Sequence, residues 1–245
     1  MHYRNSPITE AIIDIRVEVT SDFKVEMLEP VHDLIRADYP KREEVMFFQG
    51  QFVMRPDAAP TATQTKQGYL YRSSDGKYVL QTRINGFTLS RLPPYENWDS
   101  FRSEARRLWV IYKHIAKPVR ATRVAVRSIN RIDIPPFTEL KDYFKTFPEV
   151  SPDLPQSLTG YVMQLLIAQE DLGGMLSLIQ AIVPPPRREV ASINLDIDLY
   201  KESISEFASD TEIWEFLEVL RDRKNKVFEG CITDNARDLF EPIAE

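Results

Sequence analysis

An α+β fold, with antiparallel sheets and helices on one face, is the class this sequence predicts, and three observations carry that prediction. Runs that alternate apolar and polar residues follow one another through turn signals, the pattern of antiparallel meanders. Two long stretches, Trp98–Tyr112 and Ile213–Phe228, instead repeat apolar residues at helical spacing. The chain has 245 residues, 43% hydrophobic and 28% charged, which suits a packed core that needs no staple.

The elements follow in order. Ala11–Val19 alternates, with Ile13, Ile15, Val17 and Val19 on one face and Asp14, Arg16 and Glu18 on the other, so it reads as a half-buried strand. Phe23, Met27, Val31, Leu34 and Ile35 are spaced for one face of a helix that Pro40 ends. Val45–Arg55 reads as a strand and Pro56–Lys66 as a loop. Tyr69–Arg72 and Lys77–Ile84 flank a hairpin signal at Asp75-Gly76, and Asn85-Gly86 leads into a strand at Phe87–Leu92. Pro93-Pro94 is expected to close this sheet. The helix of Trp98, Phe101, Ala105, Leu108, Trp109 and Tyr112 starts at Asn97 as N-cap and stops before Pro118.

The second half begins the same way. Val119–Ile134 is a long strand-like run, followed by a short helix at Leu140–Phe147. Gly160–Gln169, Met175–Val183 and Val190–Tyr200 are three further strands, the first two joined through Asp171-Leu-Gly-Gly174. Ser209 and Glu212 have capping-box spacing ahead of the last long helix. Gly230 fits the position just past its end, and Thr233 suits the N-cap of a final short helix. The chain thus divides into two similar strand–helix–meander–helix halves, residues 1–118 and 119–245, within one globular unit. The order suggests an internal duplication, and in outline the halves resemble the tandem units of TATA-binding-protein-like folds. That likeness carries no function.

Composition narrows the classes. One cysteine, Cys231, permits no internal disulfide and reads as a small buried hydrophobe near a helix end. No signal peptide is readable, and the apolar runs are too short for a membrane span, so a cytoplasmic location without membrane contact is expected. Net charge is −6 but uneven. Arg83–Arg131 holds 11 Lys/Arg against 3 Asp/Glu, and Ile132 to the end holds 10 against 22. Either the basic stretch is a surface for an anionic partner, or the two regions neutralise each other on folding.

Catalytic constellations are sparse. His2, His32 and His114 are far apart and form no ligand pair. The sequence lacks a phosphate loop, a dinucleotide fingerprint and a nucleophile elbow, and no cofactor is expected. Asp196 and Asp198 share one sheet face, which makes them weak candidates for a metal; the alternative is a solvated face. Asp14 is a third carboxylate if its strand lies beside theirs. Arg123, Arg127 and Arg131 share the face of one strand, and Arg83 and Arg91 flank the Asn85-Gly86 turn. Such a row can hold phosphates through paired N–H donors, with Tyr69, Tyr71 or Phe87 available to stack on bases.

Three segments together carry a family resemblance. They are Ser6–Arg16, Arg127-Ser-Ile-Asn-Arg-Ile132, and Leu220–Phe240 with Lys224-Asn-Lys-Val-Phe228 and Ile232-Thr-Asp234. In that order they resemble a sporadically distributed bacterial family of full-length proteins with no assigned activity. Ser128 stands where that pattern has an aromatic residue. The resemblance implies an accessory role of the defence or toxin–antitoxin kind, and it carries over no catalytic residues. The reading that results is a non-catalytic binding or interaction protein with a protein partner, or a homodimer. The alternatives are nucleic-acid binding through residues 83–131, and a phosphoryl-processing enzyme using Arg127, Arg131, Asp196 and Asp198.

Overall fold

The computed structural model describes residues 2–51, 61–136, 138–154, 158–202 and 209–243. Its elements run β1 (His2–Tyr3), β2 (Ile8–Glu18), α1 (Pro30–Ile35), β3 (Lys41–Gln51), β4 (Thr61–Arg72), β5 (Tyr78–Arg83), β6 (Gly86–Arg91), α2 (Trp98–Ala116), β7 (Arg120–Ile134), β8 (Val162–Gln169), β9 (Gly174–Val183), β10 (Ala191–Glu202), α3 (Asp210–Cys231), α4 (Asp234–Asp238) and β11 (Pro242–Ile243). Nine strands form one antiparallel sheet in the order β3-β4-β5-β6-β2-β7-β10-β9-β8, and β1 pairs with β11. The α+β class expected from the sequence is the one observed.

Period-two alternation decides which face is covered. Ile13 and Ile15 on β2, Val124 and Val126 on β7, and Ile197 and Leu199 on β10 are all buried on the helix side. Each such side chain stabilises the fold by about 1.5–3 kcal/mol. Two antiparallel helices roof this face. The Trp98 indole N–H donates to Glu218 and the Trp109 N–H to Asp210, tying the start of α2 to the middle of α3 and its later turns to the start of α3. Arg102–Glu218 and Lys113–Asp210 ion pairs follow the same line, so basic α2 is matched to acidic α3. No helix among the described residues is long and apolar enough to cross a membrane.

Several local expectations hold. Asn97 Oδ1 accepts from the Ser100 N–H at 2.8 Å and starts α2, and Ser209 Oγ accepts from the Glu212 N–H at 3.3 Å and starts α3. Gly76 takes φ +70° in the β4–β5 hairpin, a left-handed value that suits glycine.

Others are corrected. The helix expected across Phe23–Ile35 is a 3-10 turn at Val25–Leu28 and then α1, because Pro30 lacks the N–H to continue a helix and sits at its first turn instead. Val25, Leu28, Val31 and Ile35 point inward, while Met27 and Leu34 are exposed. The strand expected at Val45–Arg55 begins at Lys41, and its residues 52–55 lie outside the described ones. The loop expected at Pro56–Lys66 gives way to β4 from Thr61, with residues 56–60 also outside. Leu140–Phe147 is only a 3-10 turn at Leu140–Asp142 and a bridge from Phe144 to Ile232. Gly230 lies inside α3, which ends at Cys231 with Ile232 in extended conformation. Pro93-Pro94 ends β6 but does not close the sheet, since β6 is an inner strand between β5 and β2.

The division expected at 118/119 falls between α2 and β7, and the sheet runs across it through the β2–β7 pair. Outward from that seam the order is β6-β5-β4-β3 on one side and β10-β9-β8 on the other. Both halves are laid down in the same sense, but the second has one strand fewer.

Candidate functional site

Among the described residues, no helix covers the middle of the opposite face of the sheet, called the bare face below, which carries a depression of about 530 Å³. Its lining comes from β5, β6, β2, β7 and β10, and most of it is polar or charged. The pleat explains why. Residues of opposite parity to the buried ones all emerge here: Asp14 and Arg16 on β2, Arg83 on β5, Thr88 on β6, Arg123 and Arg127 on β7, and Asp196 and Asp198 on β10.

Register joins these groups into a network. Asp14 is the hub. It accepts from Arg83 Nη2 at 3.1 Å, from the Thr88 hydroxyl at 2.6 Å and from Arg123 Nη1 at 2.7 Å. Arg123 reaches on to Asp198 Oδ2 at 2.7 Å, and its guanidinium lies 4.3 Å from the Tyr200 ring centroid. Arg127 grips both oxygens of Asp196, with Nε at 2.7 Å from Oδ1, a bidentate pair. That contact holds Arg127 charged, raising an already high pKa. Gly86 leaves space for the turn of this network. A Cβ there would stand 2.9 Å from the Ile15 carbonyl oxygen and 3.5 Å from Arg83 Nη2.

Asp198 is the least settled member. Burial pushes its carboxyl above the ordinary aspartate range, with Arg123 and Arg127 pulling the other way. Its Oδ1 is enclosed and accepts no hydrogen bond among the described residues.

Of the five arginines singled out from the sequence, Arg83, Arg123 and Arg127 meet in this network. Arg131 shares the face but lies further along β7, where Nε is 3.0 Å from Asp133. Arg91 does not belong to the site. It sits opposite Ala11 on the helix side, 2% exposed, over the Tyr78 ring at 4.8 Å and bonded to Glu96 at 2.9 Å. Parity is the reason: Arg83 pairs with Gly86 across the two-residue turn, so the even-numbered residues of β6 share its face and Arg91, eight positions on, faces the other way.

Tyr69, Tyr71 and Phe87 are also corrected. All three are fully buried on the helix side and offer no stacking surface. Of the two readings of the charge asymmetry, the arginines that pair with Asp196 and Asp198 bring the basic stretch and the acidic second half together. The strand of Asp14 does not neighbour that of Asp196 and Asp198: β7 lies between them, and its Arg123 stands between Asp14 and Asp198. Among the described residues no group of three or more His, Cys, Asp or Glu is placed to hold a metal ion. Cys231 is buried and its thiol is pushed up to about 11, so it is not a poised thiolate.

Sequence reasoning missed Thr88, Gln81 and Tyr200. Tyr200 had a usable signal, since it lies in an alternating run in phase with Asp196 and Asp198, whereas Thr88 shares its phase with no charged residue of its own strand. What was missing was which strand lies beside which. A scan against protein-family models and a search of curated proteins found no match.

Proposed function

We propose that this chain is a non-catalytic binding module that receives a protein partner on the bare face of its sheet, over the Asp14–Arg83–Arg123–Asp198 network. One observation carries the reading: a depression of about 530 Å³ whose charged side chains are already held in position by each other. Prepaid ordering of this kind lowers the cost of association. The lining presents both signs, so the surface suits a partner segment that itself carries acidic and basic side chains. If the chain belongs with the accessory family it resembles, that partner is an effector encoded beside it in a bacterial cytoplasm.

The pairing counts against the alternatives. A row of arginines committed to Asp14, Asp196 and Asp198 has little charge left for a polyanion, and the expected stacking aromatics are buried. Phosphoryl chemistry through Arg127 and Arg131 needs them to leave Asp196 and Asp133 first.

The test is native mass spectrometry of the protein recovered from its own host at low salt, for the wild type and for Arg16→Glu. Arg16 is half exposed at the rim, and far-UV circular dichroism matching the wild type checks that its reversal leaves the fold intact. A stoichiometric protein partner bound by the wild type and lost by the variant is expected. Co-purified nucleic acid released by salt, or a partner indifferent to Arg16→Glu, overturns the reading.

A further inference from the structure

The two edges of the large sheet are built differently. The β3 edge opens with four consecutive charged residues, Lys41-Arg42-Glu43-Glu44, a common protection against pairing with another chain. The β8 edge, Val162-Met-Gln-Leu-Leu-Ile-Ala-Gln169, contains no charge and no proline. Among the described residues β8 is paired on one side only, to β9.

Its free side can be read residue by residue. The Tyr161 carbonyl accepts from the Ile182 N–H at 3.2 Å, so odd-numbered residues turn their backbone groups toward β9. The even-numbered residues 162, 164, 166 and 168 therefore turn N–H and C=O outward. Their side chains stand on the bare face, and the two largest apolar ones are among the most exposed in the molecule: Val162 at 78% and Leu166 at 64%. An apolar strand with an open ladder is a template for one more strand.

We infer that β8 pairs antiparallel with β8 of a second copy, about a two-fold axis normal to the sheet at Gln164. Such an axis keeps like faces together and matches even-numbered residues with even-numbered ones, which are the residues whose backbone groups are free. Centred on Gln164, it sets Val162 against Leu166 of the second copy and Leu166 against its Val162. The two most exposed apolar side chains of the strand then cover each other, and Gln164 faces itself. On the helix side Met163 meets Leu165. With no charge in β8, self-pairing brings no like charges together. The same operation on β3 would have four consecutive charges to accommodate. The result is one continuous sheet through both copies, with both bare faces on the same side. This pairing stands whether or not a partner binds those faces.

Two measurements test it. Analytical ultracentrifugation at micromolar concentration is expected to give a wild-type dimer, and a monomer for Leu166→Lys. Leu166→Pro, which removes an outward N–H, is also expected to give a monomer. Far-UV circular dichroism matching the wild type confirms that both variants fold. In a Cys231→Ala background, Gln164→Cys is expected to form a covalent dimer under mild oxidation. Hydrogen-bonded antiparallel partners lie about 5.5 Å apart at Cα, within disulfide reach. Leu34→Cys, exposed on α1, is the control that stays monomeric on a non-reducing gel. A monomeric wild type, or a dimer that survives both Leu166 changes, overturns the proposal. So does crosslinking no faster at position 164 than at position 34.

Discussion

The two faces of the central sheet use the same five strands and are held by different physics. Under α2 and α3, Ile13, Ile15, Val124, Val126, Ile197 and Leu199 are buried by contact with whatever apolar surface comes down on them. On the bare face, Asp14, Arg83, Arg123, Arg127, Asp196 and Asp198 each need one particular neighbour at one particular distance. The first face is tolerant of detail and depends on total burial. The second depends on pairing, and a missing partner leaves a charge stranded. Each face also carries an exception. The covered one encloses Lys224 near Arg221, and the bare one holds Asp198 with an unanswered oxygen.

Substitutions can break or sharpen this contrast. The largest effect is expected from Trp109→Ala, which removes a 2%-exposed ring packed against Phe87 and Tyr112. Urea unfolding should show a loss of about 3–5 kcal/mol. Arg123→Ala comes next, at about 3 kcal/mol, because Asp14 and Asp198 then face each other without the cation between them. Adding Asp198→Asn to that variant should restore part of the loss. Strictly additive effects in the double-mutant cycle would show that the two residues are not coupled.

Lys224→Met tests the exception on the covered face and should stabilise, on the order of 2 kcal/mol near neutral pH. Burial depresses this ammonium from 10.5 to about 8. The unfolded chain therefore binds the proton more tightly, and the cost of Lys224 is complete below about 8 and fades as pH rises toward 10.5. The advantage of methionine should shrink over that interval; a constant advantage would trace it to packing instead of charge.

Asp198 shifts in the opposite direction. Its folded value is raised above the ordinary 3.8, so its contribution to stability is complete below 3.8 and is lost as pH rises through the folded value. Asp198→Asn should flatten that falling limb in unfolding measured across mildly acidic pH. The smallest effect belongs to Arg16→Ala, whose half-exposed contact to Asp14 at 3.6 Å should cost no more than about 0.5 kcal/mol. A larger loss would place Arg16 inside the network instead of on its rim.

Much of the covered face was legible in advance. Alternation in Ile13–Val17 and helical spacing in Trp98–Tyr112 are properties of single segments, and burial follows from them without knowledge of neighbours. The caps Asn97 and Ser209 were legible for the same reason, since each satisfies backbone donors within three residues of itself. The helix across Pro30 was misread because its apolar spacing is right while its backbone donor is missing. Among the candidate arginines, Arg123 and Arg127 were correctly put on one face by their spacing of four. Arg91, which the sequence offered with Arg83 as flanking the Asn85-Gly86 turn, stands on the opposite face, because pairing of Arg83 with Gly86 puts the even-numbered residues of β6 on the side of Arg83.

By itself, then, the sequence determined the α+β class, the alternation of faces along β2, β7 and β10, and the starts of the two long helices, because these depend on interactions within a few residues. Only the tertiary structure decided that β2 lies between β6 and β7, and with it that Asp14 joins Arg83, Arg123 and, through Arg123, Asp198. Charge pairing acts over a few ångströms in space, and positions 14, 83, 123 and 198 become neighbours only when strands distant in the chain are laid side by side.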